Sequence, residues 1–197
     1  MHRYPTPLDG PASYSVLDGS DLEWEATQQE RHEYVDGEVF AMSGASDTYV
    51  TINGNLLVML KTHLRGGPCR VLQTDMKLRV EADNAFYYPD LLVTCDERDR
   101  GAAAELAKAH PLLLLEVLSP STSGYDHGVK FASYRKLPSL REYVLIDGER
   151  RLIEVFRKDD SGHWVLYPFA DNDEVEFASV DLRIPIAAIY EDTALAA

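Results

Sequence analysis

Apolar residues recur along this chain in two rhythms. Ile52, Leu56, Met59, Leu60 and Leu64 stand three and four apart, the spacing that lines one face of an α-helix. Ser46 or Asp47 offers a side-chain oxygen to cap its first turn, and Gly66-Gly67-Pro68 ends it. Downstream the rhythm shortens. CRVLQTDMKLRV, FYYPDLLVTC and PLLLLEVLS are compact apolar runs bounded by turn-forming or charged residues, as strands are. DERDRGAAAELAKAH, between the last two, is polar and Ala-rich and reads as a loop with a helical turn or two. A second helix is expected near Asp126 to Leu137, stopped by Pro138. REYVLID and RLIEVFRK follow as adjacent strands turned by Asp147-Gly148, and GHWVLYPF and DEVEFASV extend a mostly antiparallel C-terminal part.

Upstream, residues to about Gly19 read as a loose arm. Asp21 precedes LEWEATQQE, a short capped helix, and YVDGEVFAMSG turns through Asp36-Gly37 into a strand. Helix, three strands, helix and strand predict a mixed central sheet flanked by helices, which fits α/β and α+β equally. A length of 197 residues with 45% hydrophobic content suits one domain. No internal repeat divides it.

Composition narrows the setting. The N-terminal stretch lacks the apolar segment of a secretion signal, and the most apolar run, PLLLLEVL, is short and holds a carboxylate, so a cytoplasmic protein without a membrane span is expected. Cys69 and Cys95 are too few for a disulfide framework and lack metal-ligand spacing, which predicts buried reduced thiols. Nineteen Lys+Arg against 33 Asp+Glu give a net charge of -14, a field that repels polyphosphate unless positive charge is concentrated locally or cations neutralise a site. The six histidines show no zinc-site spacing, and SPSTSG lacks the glycine and lysine of a P-loop, so a plain turn is the expected reading there.

Two carboxylates stand where their neighbours should bury them. Asp90 opens an apolar strand directly after a proline, and Glu116 lies inside PLLLLEVLSP. An unpaired carboxylate in such a place costs several kcal/mol, on the order of an ion's desolvation. A buried Arg or Lys beside Glu116 and a turn-capping role for Asp90 would each remove the problem. A divalent cation shared by both would remove it jointly, since Mg²⁺ or Mn²⁺ takes hard oxygen ligands, and Mg²⁺ usually takes one or two protein carboxylates.

Pro89-Asp90 followed by Glu116-Val117-Leu118 resembles the PD-(D/E)XK nuclease superfamily, except that Leu118 fills the lysine slot. The longer pattern EVLSPSTSGYDHGVKFASYRKLPSLREYVLID, with HEYVDGEVFAMSGAS, CRVLQTDMKLRV and YYPDLLV, is similar to the Uma-two family of restriction-endonuclease-like proteins over roughly residues 20 to 190. That resemblance implies a single restriction-endonuclease-like domain over 20–197, with Asp90 and Glu116 as metal ligands and Lys130 as a lysine relocated to the following helix. Lys130 and Tyr134 share a helix face. An ammonium there could orient the attacking water and offset charge at phosphorus, and the plain alternative is an ordinary helix lysine paired with Asp126. Glu33 and Glu38 resemble accessory acids of the family, although a solvated hairpin charge is the expectation for each. Where relatives often place histidine after the GAS segment, this chain has Tyr49.

The function so implied is a Mg²⁺- or Mn²⁺-dependent endonuclease acting on DNA as a homodimer. Two alternatives stay open: a nuclease-fold binding module with weak or no cleavage, and a metal-dependent hydrolase of small phosphoesters.

Overall fold

The computed structural model describes residues 32–36, 38–41 and 46–196. The N-terminal arm and the expected helix at LEWEATQQE lie outside the described residues. From His32 onward, a hairpin of β1 (His32–Val35) and β2 (Glu38–Ala41) leads to α1 (Asp47–His63). Ser46 is in extended backbone and its hydroxyl accepts from the Tyr49 amide, so the cap read from the sequence starts the helix. Ile52, Leu56 and Leu60 are its buried stripe.

Two expected strands are each broken. CRVLQTDMKLRV becomes β3 (Arg70–Gln73) and β4 (Lys77–Val80), and the apolar run before Cys95 becomes β5 (Ala85–Tyr87) and β6 (Leu91–Thr94). β3 and β6 belong to one sheet and β4 and β5 to another, so both chain segments cross between sheets at one corner. The Met76 amide donates to the Gln73 carbonyl to turn the first crossing, and Pro89, which has no amide to give a ladder, marks the second. Asp90 stands at that corner. Two 3₁₀ turns (Glu97–Arg100 and Ala102–Ala104) and the short β7 (Ala107–Lys108) fill the polar stretch.

The uniformly apolar run forms β8 (Leu113–Leu118), followed by the helical segment α2 (residues 123–134) and then β9 (Glu142–Asp147), which pairs parallel with β8. β10 (Leu152–Lys158) and β11 (Trp164–Ala170) complete a six-stranded sheet in the order β11-β10-β9-β8-β6-β3. β2-β1-β5-β4-β7 is the second sheet, and β12 (Glu174–Phe177) with β13 (Leu182–Pro185) is a separate pair. β13 and the short α3 (Ile186–Ile189) go beyond the strands anticipated for the C-terminal part. The expected mixed sheet with flanking helices is therefore present, as α+β with several sheets.

The central sheet is covered on both faces, which explains why β8 reads as continuous apolar sequence rather than alternation. Leu113, Leu115 and Val117 join the core beneath α1 and α3, while Leu114 and Leu118 join the core formed with α2 and the second sheet. Glu116 shares the parity of Leu114 and Leu118. Glu142, fully buried at the start of β9, accepts from Arg157 Nε and from the amides of Ala178 and Ser179, and so ties the C-terminal segment to the sheet.

Two further expectations need correction. α2 is not one regular helix from Asp126 to Leu137: it runs as Ser123–Tyr125, a π-helical turn Asp126–Lys130, and Phe131–Tyr134. Cys69 and Cys95 are not free thiols but a disulfide. The antiparallel register Arg70↔Thr94, carried one residue outward, sets Cys69 opposite Cys95, and sequence spacing alone does not reveal that pairing.

Candidate active site

Strand pairing fixes the centre of the site. β6 and β8 run antiparallel with Leu91 opposite Leu115, and one further step places Asp90 opposite Glu116 on the same face of the sheet. Both are buried. Asp90 Oδ2 accepts from the Val117 amide at 2.7 Å, and its Oδ1 accepts from the Tyr49 hydroxyl on the first turn of α1.

α2 packs against this pair from the side of Leu114 and Leu118. Its π turn brings Lys130 inward, where Nζ lies 3.0 Å from Glu33 Oε1, 3.2 Å from Glu116 Oε1 and 3.4 Å from Asp126 Oδ1. Tyr134, four residues on, donates to Glu116 Oε1 at 3.0 Å. The sequence correctly set Lys130 and Tyr134 on one helix face, and that face meets Glu116.

Glu33 departs from its expected role as a solvated hairpin charge. It is buried, pairs with Lys130 and accepts from the Tyr88 amide at 3.3 Å. β1 is buried at His32, Glu33 and Tyr34 in succession, so HEYV carries no alternation from which the inward position of Glu33 could have been read. The side chain of Glu38 lies outside the described residues. Asp126, considered only as a partner for Lys130, is itself buried among these groups.

The electrostatics are unbalanced. Glu33, Glu116 and Asp126 surround the Lys130 ammonium and Asp90 is buried across the strand from Glu116, so among the described residues the fully ionised cluster is negative in a place water barely reaches. Burial pushes the Asp90 carboxyl up to about 6, against the opposing hydrogen bonds from Tyr49 and Val117. Burial raises Glu116 well above the ordinary carboxylate range, with Lys130 opposing and Asp90 adding to the rise. For Lys130, burial alone would disfavour the ammonium, but Glu116 and Glu33 outweigh it and hold the side chain charged. Tyr134 is raised by burial and then by Glu116, so it remains a hydrogen-bond donor.

Among the described residues, no three His, Cys, Asp or Glu side chains stand in ready metal-binding geometry. Lys130 occupies the space between Glu33, Glu116 and Asp126 that a larger carboxylate cage would need. Asp90 and Glu116 remain as a pair of hard oxygen donors, the number of protein carboxylates that Mg²⁺ commonly takes beside water. The donor set therefore fits such a cation.

Known proteins support the same architecture. A putative nuclease from Anabaena variabilis, known from its crystal structure, superposes with a TM-score of 0.73 over 90% of this chain and 98% of its own, at 14% identity, a likeness of fold alone. Two uncharacterized proteins of Synechocystis are 35% identical over 190 residues, covering 96% of this chain and 95% of theirs, and 31% identical over 169 residues, covering 85% and 96%. Residues 20–187 match the family Uma2, described as "Putative restriction endonuclease", and with that match spanning the corner where Asp90, Glu116 and Lys130 meet, this chain belongs to the Uma2 family.

Proposed function

We propose that this protein is a Mg²⁺- or Mn²⁺-dependent endonuclease that hydrolyses phosphodiester bonds of DNA, with Asp90 and Glu116 as the metal ligands and Lys130 as the electrostatic catalyst. The observation that carries this reading is the meeting of a cross-strand carboxylate pair with a buried ammonium at one corner of the sheet. A bound cation would supply Lewis-acid activation of water and neutralise phosphate charge. Asp90, held by Val117, and Glu116, held by Lys130 and Tyr134, would present oxygens to it without reorganising. Lys130 keeps its proton through the working pH range and can offset charge developing on a phosphoryl oxygen. Glu33 and Asp126 hold the ammonium in place rather than joining the metal shell.

Cutting both strands calls for two active sites, and we assign the dimer contact to β11. This strand is the outer edge of the central sheet, exposes Val165, Leu166 and Tyr167, and carries no charge from Trp164 to Ala170 in a chain of net charge -14. A second copy meets least repulsion there. No described helix is long and apolar enough to cross a membrane, and we place the protein in the cytoplasm, where the Cys69–Cys95 pair would be subject to reduction.

A second reading, a binding module or a hydrolase of small phosphoesters, draws on the acidic surface and on the enclosure of Lys130 by three carboxylates. Cleavage of supercoiled plasmid and a short duplex at low salt in Mg²⁺ or Mn²⁺, by wild type and Asp90→Ala, separates the readings. The nuclease reading requires cutting that Asp90→Ala abolishes. Metal binding without cutting favours the module or the small-ester hydrolase.

A further inference from the structure

The hydrogen bonds on Asp90 come from two elements that otherwise approach it from different directions. Val117, the residue after Glu116 on β8, donates its amide to Oδ2, and Tyr49 on α1 donates its hydroxyl to Oδ1. Together they fix both torsions of a short side chain. Neither donor is charged, so neither neutralises Asp90, whereas Glu116 is paired directly with the Lys130 ammonium. Each carboxylate oxygen carries two lone pairs, so Oδ1 can accept from Tyr49 and still coordinate a cation.

Tyr49 is itself built into place. Its amide is capped by Ser46, its carbonyl accepts from Asn53 Nδ2 at 3.3 Å, and its ring packs on the core beneath α1.

We infer that Tyr49 is a positioning residue for the metal site: its hydroxyl holds the Asp90 carboxylate in the orientation in which Asp90 and Glu116 share one divalent cation. This rests on the metal reading above. It adds a contact from α1 that the β6–β8 pair does not contain. Hydrogen bonds to a ligating carboxylate orient it, and their loss typically costs roughly 10- to 100-fold in metal affinity.

The test is Mn²⁺ titration by calorimetry, with the near-ultraviolet tyrosine difference spectrum recorded alongside, on wild type and Tyr49→Phe. Tyr49→Phe should bind Mn²⁺ roughly 10- to 100-fold more weakly, and its metal-induced tyrosine band should shrink to the part owed to Tyr134 on Glu116. Its metal-free melting temperature should stay within a few degrees of wild type, the scale of one hydrogen bond in a chain of this size. Equal affinity in wild type and Tyr49→Phe overturns the inference and leaves the metal site standing. A variant that loses metal-free stability but keeps wild-type affinity also overturns it, because Tyr49 would then serve packing alone. Should wild type itself bind no Mn²⁺, this inference and the metal reading fall together. Tyr49→His, which retains an N–H donor, is the second variant if Tyr49→Phe does not fold, with affinity nearer to wild type expected and a complete loss of Mn²⁺ binding by the folded variant counting against the role.

Discussion

Lys130 Nζ and Glu116 Oε1 lie 3.2 Å apart in a site where both side chains are almost wholly removed from water. Such a pair contributes less through its own attraction than through what its disruption would expose. Removing the ammonium leaves Glu116, Glu33 and Asp126 buried without a counter-charge.

Lys130→Met is therefore expected to affect folding as well as turnover. Seen as an electrostatic donor alone, Lys130 would be replaceable without loss of fold. Its burial among three carboxylates predicts destabilisation instead, by about 3–5 kcal/mol, the scale for breaking a buried ion pair. Urea unfolding should show a smaller loss at acidic pH, where the stranded carboxylates take up protons. In conditions where the variant stays folded, cleavage should fall by roughly two to three powers of ten. Full activity would reject the catalytic role.

The metal-free protein should lose stability as pH rises through the range set by Asp90. Its carboxyl is pushed from the ordinary 3.8 up to about 6. Between those values the folded state holds more protons than the unfolded state, so the contribution of Asp90 to stability falls with rising pH and levels off above about 6. Urea unfolding in EDTA from pH 4 to 8, compared between wild type and Asp90→Asn, isolates this component. An Asp90 contribution that grows over the same range would contradict the burial assigned to it.

Divalent cation should reverse the penalty. A ligand bound only by the folded state at 100 times its dissociation constant stabilises by about 2.7 kcal/mol. Millimolar Mg²⁺ or Mn²⁺ is expected to raise the melting temperature of wild type and not of Asp90→Ala. No shift in wild type would weigh heavily against the site.

Reduction should weaken the fold without touching the acidic cluster. The Cys69–Cys95 bond spans a sequence separation of 26 residues. A loop of that length is worth about 3.5 kcal/mol in the chain-entropy view. Dithiothreitol should lower the urea midpoint of wild type and leave Cys69→Ser/Cys95→Ser unaffected, and thiol labelling of unfolded protein should require prior reduction. Labelling without reductant would show free thiols.

Gly148→Ala should destabilise the strand end beside Glu116. A Cβ at Gly148 would stand 2.7 Å from the Leu118 carbonyl oxygen, too close for backbone to accommodate. A loss of about 1–3 kcal/mol is expected in thermal or urea unfolding, in the range of other overpacked positions. The Asp147-Gly148 turn was readable in the sequence, but the demand for glycine comes from the parallel pairing of β8 and β9 rather than from the turn.

What the sequence determined by itself is what local chemistry controls. Side-chain oxygens at Ser46 and Asp47 and the three- and four-residue spacing to Leu60 specify α1, and an unbroken apolar run specifies a strand covered on both faces at β8. Asp90 and Glu116 were marked because a carboxylate among apolar neighbours needs a partner, and Lys130 and Tyr134 because helical spacing aligns them. Tertiary structure decided which partners these residues meet. The register that sets Asp90 opposite Glu116, the disulfide opposite it at the far end of β6, the corner that divides two apparent strands between two sheets, and the inward turn of Glu33 all join segments distant along the chain. Local propensity carries no information about such pairings. They are selected by the joint burial of both sheet faces, and only that packing placed Lys130 among three carboxylates and the Tyr49 hydroxyl on Asp90.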